Sequence, residues 1–195
     1  MLEEDGLRSR SHAMTLDIIQ AQASALGLPI IRAASDWHNY ETEFLKLLVQ
    51  AKQQGAETLV TGDLDMPEHG CWHDHMTQQA GLHLCMPLWQ RPHQEVIAEF
   101  IELGFKSMIV TVNLDLGMKV DDLGKILTMD YIQPLEKRGI DPCGEGGEGG
   151  EGGEFHSTVL DGLLFKWPIT VRQGDIMRHE NYAFLTLQLE SNALK

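Results

Sequence analysis

The chain has 195 residues, of which 29 are acidic and 15 basic, for a formal net charge of -14; 43% are hydrophobic and 23% charged. This is the composition of an ordinary globular protein with enough chain for a sizeable core. A surface this negative repels phosphate backbones and argues against nucleic acid as a general partner, but a local pocket can still hold a small anion such as a nucleotide.

No apolar run approaches the length of a membrane span, and the opening "MLEEDGLRSRSHAM" has no signal-peptide core. Only three cysteines are present, Cys71, Cys85 and Cys143. No disulfide framework is indicated, and the expectation is a cytoplasmic protein with reduced thiols and no membrane partner.

In chain order, "TLDIIQAQASALG" carries Leu16, Ile19, Ala23 and Leu26 at helical spacing, with Gly27 and Pro29 as stop signals. "LPIIRA" reads as a short apolar strand. "YETEFLKLLVQAKQQG" is a second amphipathic helix, with Phe44, Leu47, Leu48 and Ala51 on one face and Gly55 at its end. "ETLVTGD" is a strand, "PEHGCWHDHMTQQAG" a helix ending at Gly81, "LHLCMPLW" a strand, "HQEVIAEFIELG" a helix ending at Gly104, and "KSMIVTVN" a strand.

These strands are apolar throughout rather than alternating, as expected when helices cover both faces of a sheet. The expected class is therefore α/β, a parallel sheet with right-handed crossovers. Ligands in such sheets sit beyond the carboxyl ends of the strands. Those ends are Ala33 to Ser35, Gly62 and Asp63, Pro87 to Trp89, and Asn113 to Asp115. After Asn113 the pattern changes. "DDLGKILTMDYIQPLEKRG" suggests one or two short helices, and "FHSTVLDG", "WPITVRQGD" and "YAFLTLQLE" read as antiparallel strands. The expected organisation is a single domain over 1–195, with an α/β core over 8–118 and a β-rich C-terminal lobe over 119–195. No G-x-x-x-x-G-K-[ST] phosphate loop and no serine-glycine-glycine loop occurs.

Gly62 and Asp63 close a strand at the expected pocket. The glycine admits close backbone approach, and Asp63 suits Mg²⁺ or a substrate amine; a plain strand-to-loop turn is the competing reading. His69 and His73 lie four apart on one helix face, a spacing that can chelate zinc, whereas Cys71 and His75 fall on another. A polar helix face with Trp72 and Met76 packed inward is favoured over a metal site, so no metal ligands are expected. Trp89 could lie beside an adenine or simply close the core. Arg8, Arg10 and His12 are cationic groups suited to a phosphate or carboxylate, or a solvated basic end. Asp115, Asp121 and Asp122 read as loop and cap acids. Cys143 without a placed base is weak evidence for a nucleophile.

Several collinear stretches, "SHAMTLDIIQAQASALGLPI", "TLVTGDL", "EHGCWHDHMTQQAGLHLCMPLW", "ELGFKSMIVTV", "LGKIL" and the block from "GIDPCGEGGE" to "GGEFHSTVLDGLLFKWPI", together resemble the diphthine–ammonia ligase-like branch of the N-type ATP pyrophosphatases. The resemblance implies an adenine-nucleotide α-hydrolase (HUP, Rossmann-like) fold. It also implies ATP with Mg²⁺, adenylation of a carboxylate with release of pyrophosphate, and displacement of AMP by ammonia. Its partners would be a nucleotide and a carboxylate substrate, and self-association into a homo-oligomer stays open. The family's first strand, its S-G-G-K-D-S loop and first helix have no counterpart here. Met1 aligns near the end of the second strand, so about 30 to 40 residues of a βα unit and a strand are expected to be missing. Lys125 stands where relatives usually carry arginine, which weakens any bidentate contact there. The alternative function is a non-catalytic α/β binding module that has lost ATP chemistry.

The tract "PCGEGGEGGEGGEFH" corresponds to a single family copy of G-E-G-G-E or G-E-N-G-E. Its left end fits at Cys143, Gly144 and Glu145, and its right end at Gly153, Glu154, Phe155 and His156. Two additional Gly-Gly-Glu units separate them, a lengthening that costs the fold little. If the paired glutamates grip ammonium or polarise substrate, Glu145 and Glu154 carry that role, unless Glu148 or Glu151 substitutes; a flexible acidic linker is the competing reading. The expected site therefore has Asp63, Glu145 and Glu154 as catalytic residues, and Gly62, Trp89, His12, Gly153 and His156 as nucleotide- or substrate-binding residues.

Overall fold

Two of the helices end on left-handed glycines, Gly27 and Gly81. In the computed structural model, which describes residues 1–10, 12, 14–146 and 153–190, helix α1 spans Leu16–Leu26 and closes on Gly27 at φ 70°. Leu28 N–H donates to Ala23 O at 2.9 Å and Gly27 N–H to Ser24 O at 3.0 Å. This is the paired carbonyl capping that a left-handed glycine makes possible. The buried stripe of α1 is Ile18, Ala21 and Ala25. The expected stripe of Leu16, Ile19, Ala23 and Leu26 flanks it, half-buried. Both stripes have helical period, and the small alanines let the helix seat closely.

The remaining elements are α2 (Tyr40–Gln53), β1 (Thr58–Val60), α3 (Pro67–Ala80), β2 (His83–Cys85), α4 (His93–Glu102), β3 (Lys106–Asn113), a 3-10 turn (Val120–Asp122), α5 (Met129–Glu136), β4 (Phe155–Asp161), β5 (Val171–His179) and β6 (Tyr182–Leu189). They divide into two compact units. One comprises residues 1–7 and 31–92, the other 8–30 and 93–195. The boundary expected at 118/119 falls inside the second.

In the first unit, β1 and β2 pair in parallel, Leu59 opposite Leu84, with α3 as the crossover. Leu48, Met76, Ala80 and Leu82 form its core, with Phe44, Leu45, Leu59 and Trp72 packed against them. "LPIIRA" is not a strand. Only the residue after it, Ala34, forms a parallel bridge, to Leu2.

The second unit corrects the expected parallel sheet. β3 lies in a four-stranded sheet of order β4-β3-β6-β5, antiparallel to β4 and to β6. Seven of its eight residues are buried. Their continuous apolarity reflects a central strand covered on both faces, which antiparallel pairing achieves as readily as parallel pairing. Its core joins β3 to Ile18, Ala21 and Ala25 of α1, Ile97 of α4, and Ile132 and Leu135 of α5. The register slips between Ile109 and Thr111, so Val110 is the extra residue of a bulge, and His156 lies opposite Thr111. Among the described residues the fold is mixed α/β, with one parallel and one antiparallel sheet rather than one doubly wound sheet.

One polar cluster fixes the connection from β3 to α5. The buried Asp122 carboxylate accepts from Arg138 at 2.9 and 2.8 Å, Tyr131 Oη at 2.5 Å and Lys119 N–H at 2.7 Å. Burial alone would raise the carboxyl pKa. The bonds from Arg138, Tyr131 and Lys119 and the Arg138 charge outweigh it and hold the group below the usual range. Burial and the adjoining carboxylate push the Tyr131 phenol up. Asp122 is therefore a structural anchor rather than a simple cap.

Candidate functional site

The two ends of the glycine–glutamate tract meet. After α5 the chain turns at Asp141, whose carboxylate Oδ1 accepts from Cys143 N–H at 2.8 Å and Glu145 N–H at 3.3 Å. A short acidic side chain that bonds amides ahead of it is a turn-forming device. Gly144 sits at φ +78°, and a Cβ there would lie 2.7 Å from Phe155 O. At Gly153 a Cβ would lie 2.3 Å from Gly144 O. Both positions are closed to any other residue without backbone movement. Glu154 N–H donates to Gly144 O, and Asn113 N–H to Glu154 O, each at 2.8 Å.

Glu154 is 5% exposed. Its carboxylate Oε2 accepts from Asp141 N–H at 2.9 Å and Gly146 N–H at 3.2 Å. Burial raises its pKa, the two backbone bonds oppose this only in part, and the Asp141 charge adds to the rise. Glu154 thus holds the loop from beneath, while Glu145 projects at the exposed surface of the same loop. Glu148 and Glu151, the substitutes considered from the sequence, lie outside the described residues.

The same loop meets the start of α4. His93 Nδ1 is 2.7 Å from Asp141 Oδ2, and the Cys143 thiol donates to His93 O at 3.4 Å. Asp141 and His93 have no counterpart in the expected site. The spacing D-P-C-G-E contains the signal for the Asp141 turn, whereas His93 is separated from it by 48 residues of sequence and shares no pattern with it.

His156, the second residue of β4, does meet His12. Their ring centroids are 4.9 Å apart. Burial lowers both pKa values, and the His12 neighbour helps bring His156 to about 4. His12 lines a small pocket with Met14, Thr15, Ile18, Val110, Leu185 and Leu187. Its room for water, about 10 Å³, suits roughly one molecule and not a nucleotide.

In the first unit, Asp63 follows β1 and faces α3. His69 Nδ1 lies 2.9 Å from one carboxylate oxygen and His73 Nε2 3.1 Å from the other. The i, i+4 histidine pair therefore converges on a carboxylate. Burial raises the Asp63 pKa, but bonding by Thr61 and His69 and the charges of His73 and His69 outweigh it, so the group is held low. Trp89 packs across Gly70 of α3, where a Cβ would come within 3.1 Å of its ring. The benzo end of the indole thereby lies against the helix. At Gly62 a Cβ would meet nothing within 4 Å, so the backbone there is open to approach. The expected residues thus form two groups, Gly62, Asp63 and Trp89 in one unit, and His12, Glu145, Gly153, Glu154 and His156 in the other.

The two units, a parallel βαβ unit and an antiparallel unit with a glycine-closed acidic loop, place the chain in the mixed α/β class. The diphthamide synthase N-terminal domain matches residues 1–84 and the diphthamide synthase C-terminal domain residues 92–192. The chain belongs to the diphthamide synthase family. The seam between the two matches adjoins the 92/93 boundary of the structural units, while residues 8–30 of the first match belong to the second unit. Among relatives, the chain is 30% identical over 186 residues to diphthine–ammonia ligase of Mus musculus, an alignment covering 85% of this chain and 66% of the relative. It is 34% identical over 103 residues to diphthine–ammonia ligase of Homo sapiens, covering 50% of this chain and 35% of the relative. The chain thus spans less than two thirds of the curated relatives it matches.

Proposed function

We propose that this chain is an ATP-dependent amidating ligase of the diphthine–ammonia ligase type. It would activate a carboxylate as its adenylate, release pyrophosphate, and transfer the acyl group to ammonia as AMP departs. The reading rests on family membership and on the pinned loop, which fixes Glu154 beneath and presents Glu145 on an exposed turn. In the acceptor site, a carboxylate at Glu145 suits attraction of ammonium and acceptance of a proton from the attacking amine. Glu154 positions that turn through its two amide bonds. The HUP-type arrangement for the first unit stands with this reading.

For the nucleotide, the open backbone at Gly62 and the exposed part of Trp89 are the groups this chain offers. The donor set at Asp63 does not fit Mg²⁺, because two imidazoles occupy its carboxylate and Mg²⁺ takes oxygen ligands. Asp63 instead acts as a hydrogen-bond acceptor whose orientation α3 sets.

Isothermal titration with ATP tests the reading. Saturable heat weakened by Asp63→Asn supports it. No binding at millimolar ATP overturns it for this chain and leaves the alternative, an α/β binding module without ATP chemistry.

A further inference from the structure

The His93, Asp141 and Cys143 side chains form a cluster that the proposed ligase chemistry does not use. One ligand atom from each, an imidazole nitrogen, a carboxylate oxygen and a thiol sulfur, lies within 4.8 Å of the other two. The three come from separate places: the first residue of α4, and two positions on the loop that Glu154 holds. All are half-buried.

We propose that this cluster is a binding site for a transition-metal ion of the zinc class. The donor set selects the ion. Thiolate and imidazole favour zinc-like metals over Mg²⁺ or Ca²⁺, which take oxygen. A thiolate and a carboxylate bring two negative charges, which balance a divalent cation, and the imidazole binds neutral. Three protein ligands leave a fourth position open, the pattern of zinc sites that bind water or a substrate atom rather than purely structural sites.

The surroundings are built as a ligand site requires. The Asp141 carboxylate is oriented by Cys143 N–H and Glu145 N–H on Oδ1, while Oδ2 faces His93. The Asp141 backbone is held in turn by Glu154. Such outer contacts fix ligand geometry and tune affinity. Binding displaces the thiol proton of Cys143, so affinity rises with pH.

Cobalt(II) reports thiolate ligation directly. In a Cys71→Ser/Cys85→Ser background that leaves Cys143 as the single thiol, Co²⁺ should add one equivalent with a near-ultraviolet thiolate-to-cobalt band, reversed by Zn²⁺. Cys143→Ser should abolish the band. His93→Gln should weaken uptake by more than about 100-fold, beyond the range typical of losing an outer contact. A band absent from the background protein, or one that survives Cys143→Ser, overturns the proposal. A second measurement needs no folding of the Cys143→Ser variant: saturating Zn²⁺ should slow alkylation of Cys143 in the unaltered chain at least about 10-fold. An unchanged rate overturns the proposal equally.

Discussion

Glu154 is the point at which fold and proposed chemistry depend on one side chain, and two substitutions separate its contributions. Glu154→Ala removes the acceptor for Asp141 N–H at 2.9 Å and Gly146 N–H at 3.2 Å. Hydrogen bonds to a charged group contribute about 1.5–3 kcal/mol each, the longer bond at the low end. Removing a carboxylate buried at a cost returns part of that, so the net loss should be about 2–4 kcal/mol. At roughly 2–4 °C per kcal/mol for a chain of this size, Tm should fall by about 4–16 °C. Glu154→Gln keeps a carbonyl acceptor at similar reach and should cost less than about 1 kcal/mol.

The two variants also differ in pH dependence. The Glu154 pKa is raised in the folded protein above its ordinary value of 4.5. The folded state therefore binds this proton more tightly, and its contribution is fully present below pH 4.5. That contribution is lost as pH rises through the folded pKa. Denaturant melts across the acidic range should show the parent losing stability relative to Glu154→Gln as pH rises through that pKa. An alanine variant as stable as the parent, or a glutamine variant as unstable as alanine, would refute the pinning argument.

Other substitutions test neighbouring parts of the account. Asp122→Ala, which leaves Arg138, Tyr131 Oη and Lys119 N–H without their shared acceptor, should cost about 3–5 kcal/mol in chemical denaturation. Deleting residues 147–152 restores a single G-E-G-G-E copy. It should leave the fold intact and change stability by no more than about 1 kcal/mol, the closure entropy of a loop shortened threefold, as read by a thermal melt. With a folded pKa near 4, His156 should titrate by NMR well below the ordinary 6.5. Its unfolded form binds the proton more tightly, so stability should fall as pH drops from 6.5 through about 4. The total is about 3 kcal/mol, and the loss should be absent in His156→Gln.

Much of the local structure is legible in the sequence because its causes are local. Gly27 and Gly81 stop their helices through left-handed backbones, and "PEHGCWHDHMTQQAG" becomes α3 with proline in its first turn. Pairing is not local. β3 reads as apolar on both faces, which says that it is central but not that its neighbours β4 and β6 run against it from later in the chain. The candidate site divides the same way. The glycines at 144 and 153 and the paired ends of the tract are visible in "CGEGGEGGEGGEF". The histidines that hold Asp63 are visible only as an i, i+4 pair, equally suited to zinc. The His93–Asp141 contact depends on tertiary packing, and no spacing within the sequence announces it.

The ligase reading is tested most directly by identifying which phosphoanhydride bond of ATP breaks. The chain is incubated with ATP, ammonium and a panel of carboxylates that includes diphthine, and products are followed by phosphorus NMR. The account predicts AMP and pyrophosphate, dependent on both carboxylate and ammonium, and reduced at least about 10-fold by Asp63→Asn. ADP and inorganic phosphate, or intact ATP under every condition, would contradict it.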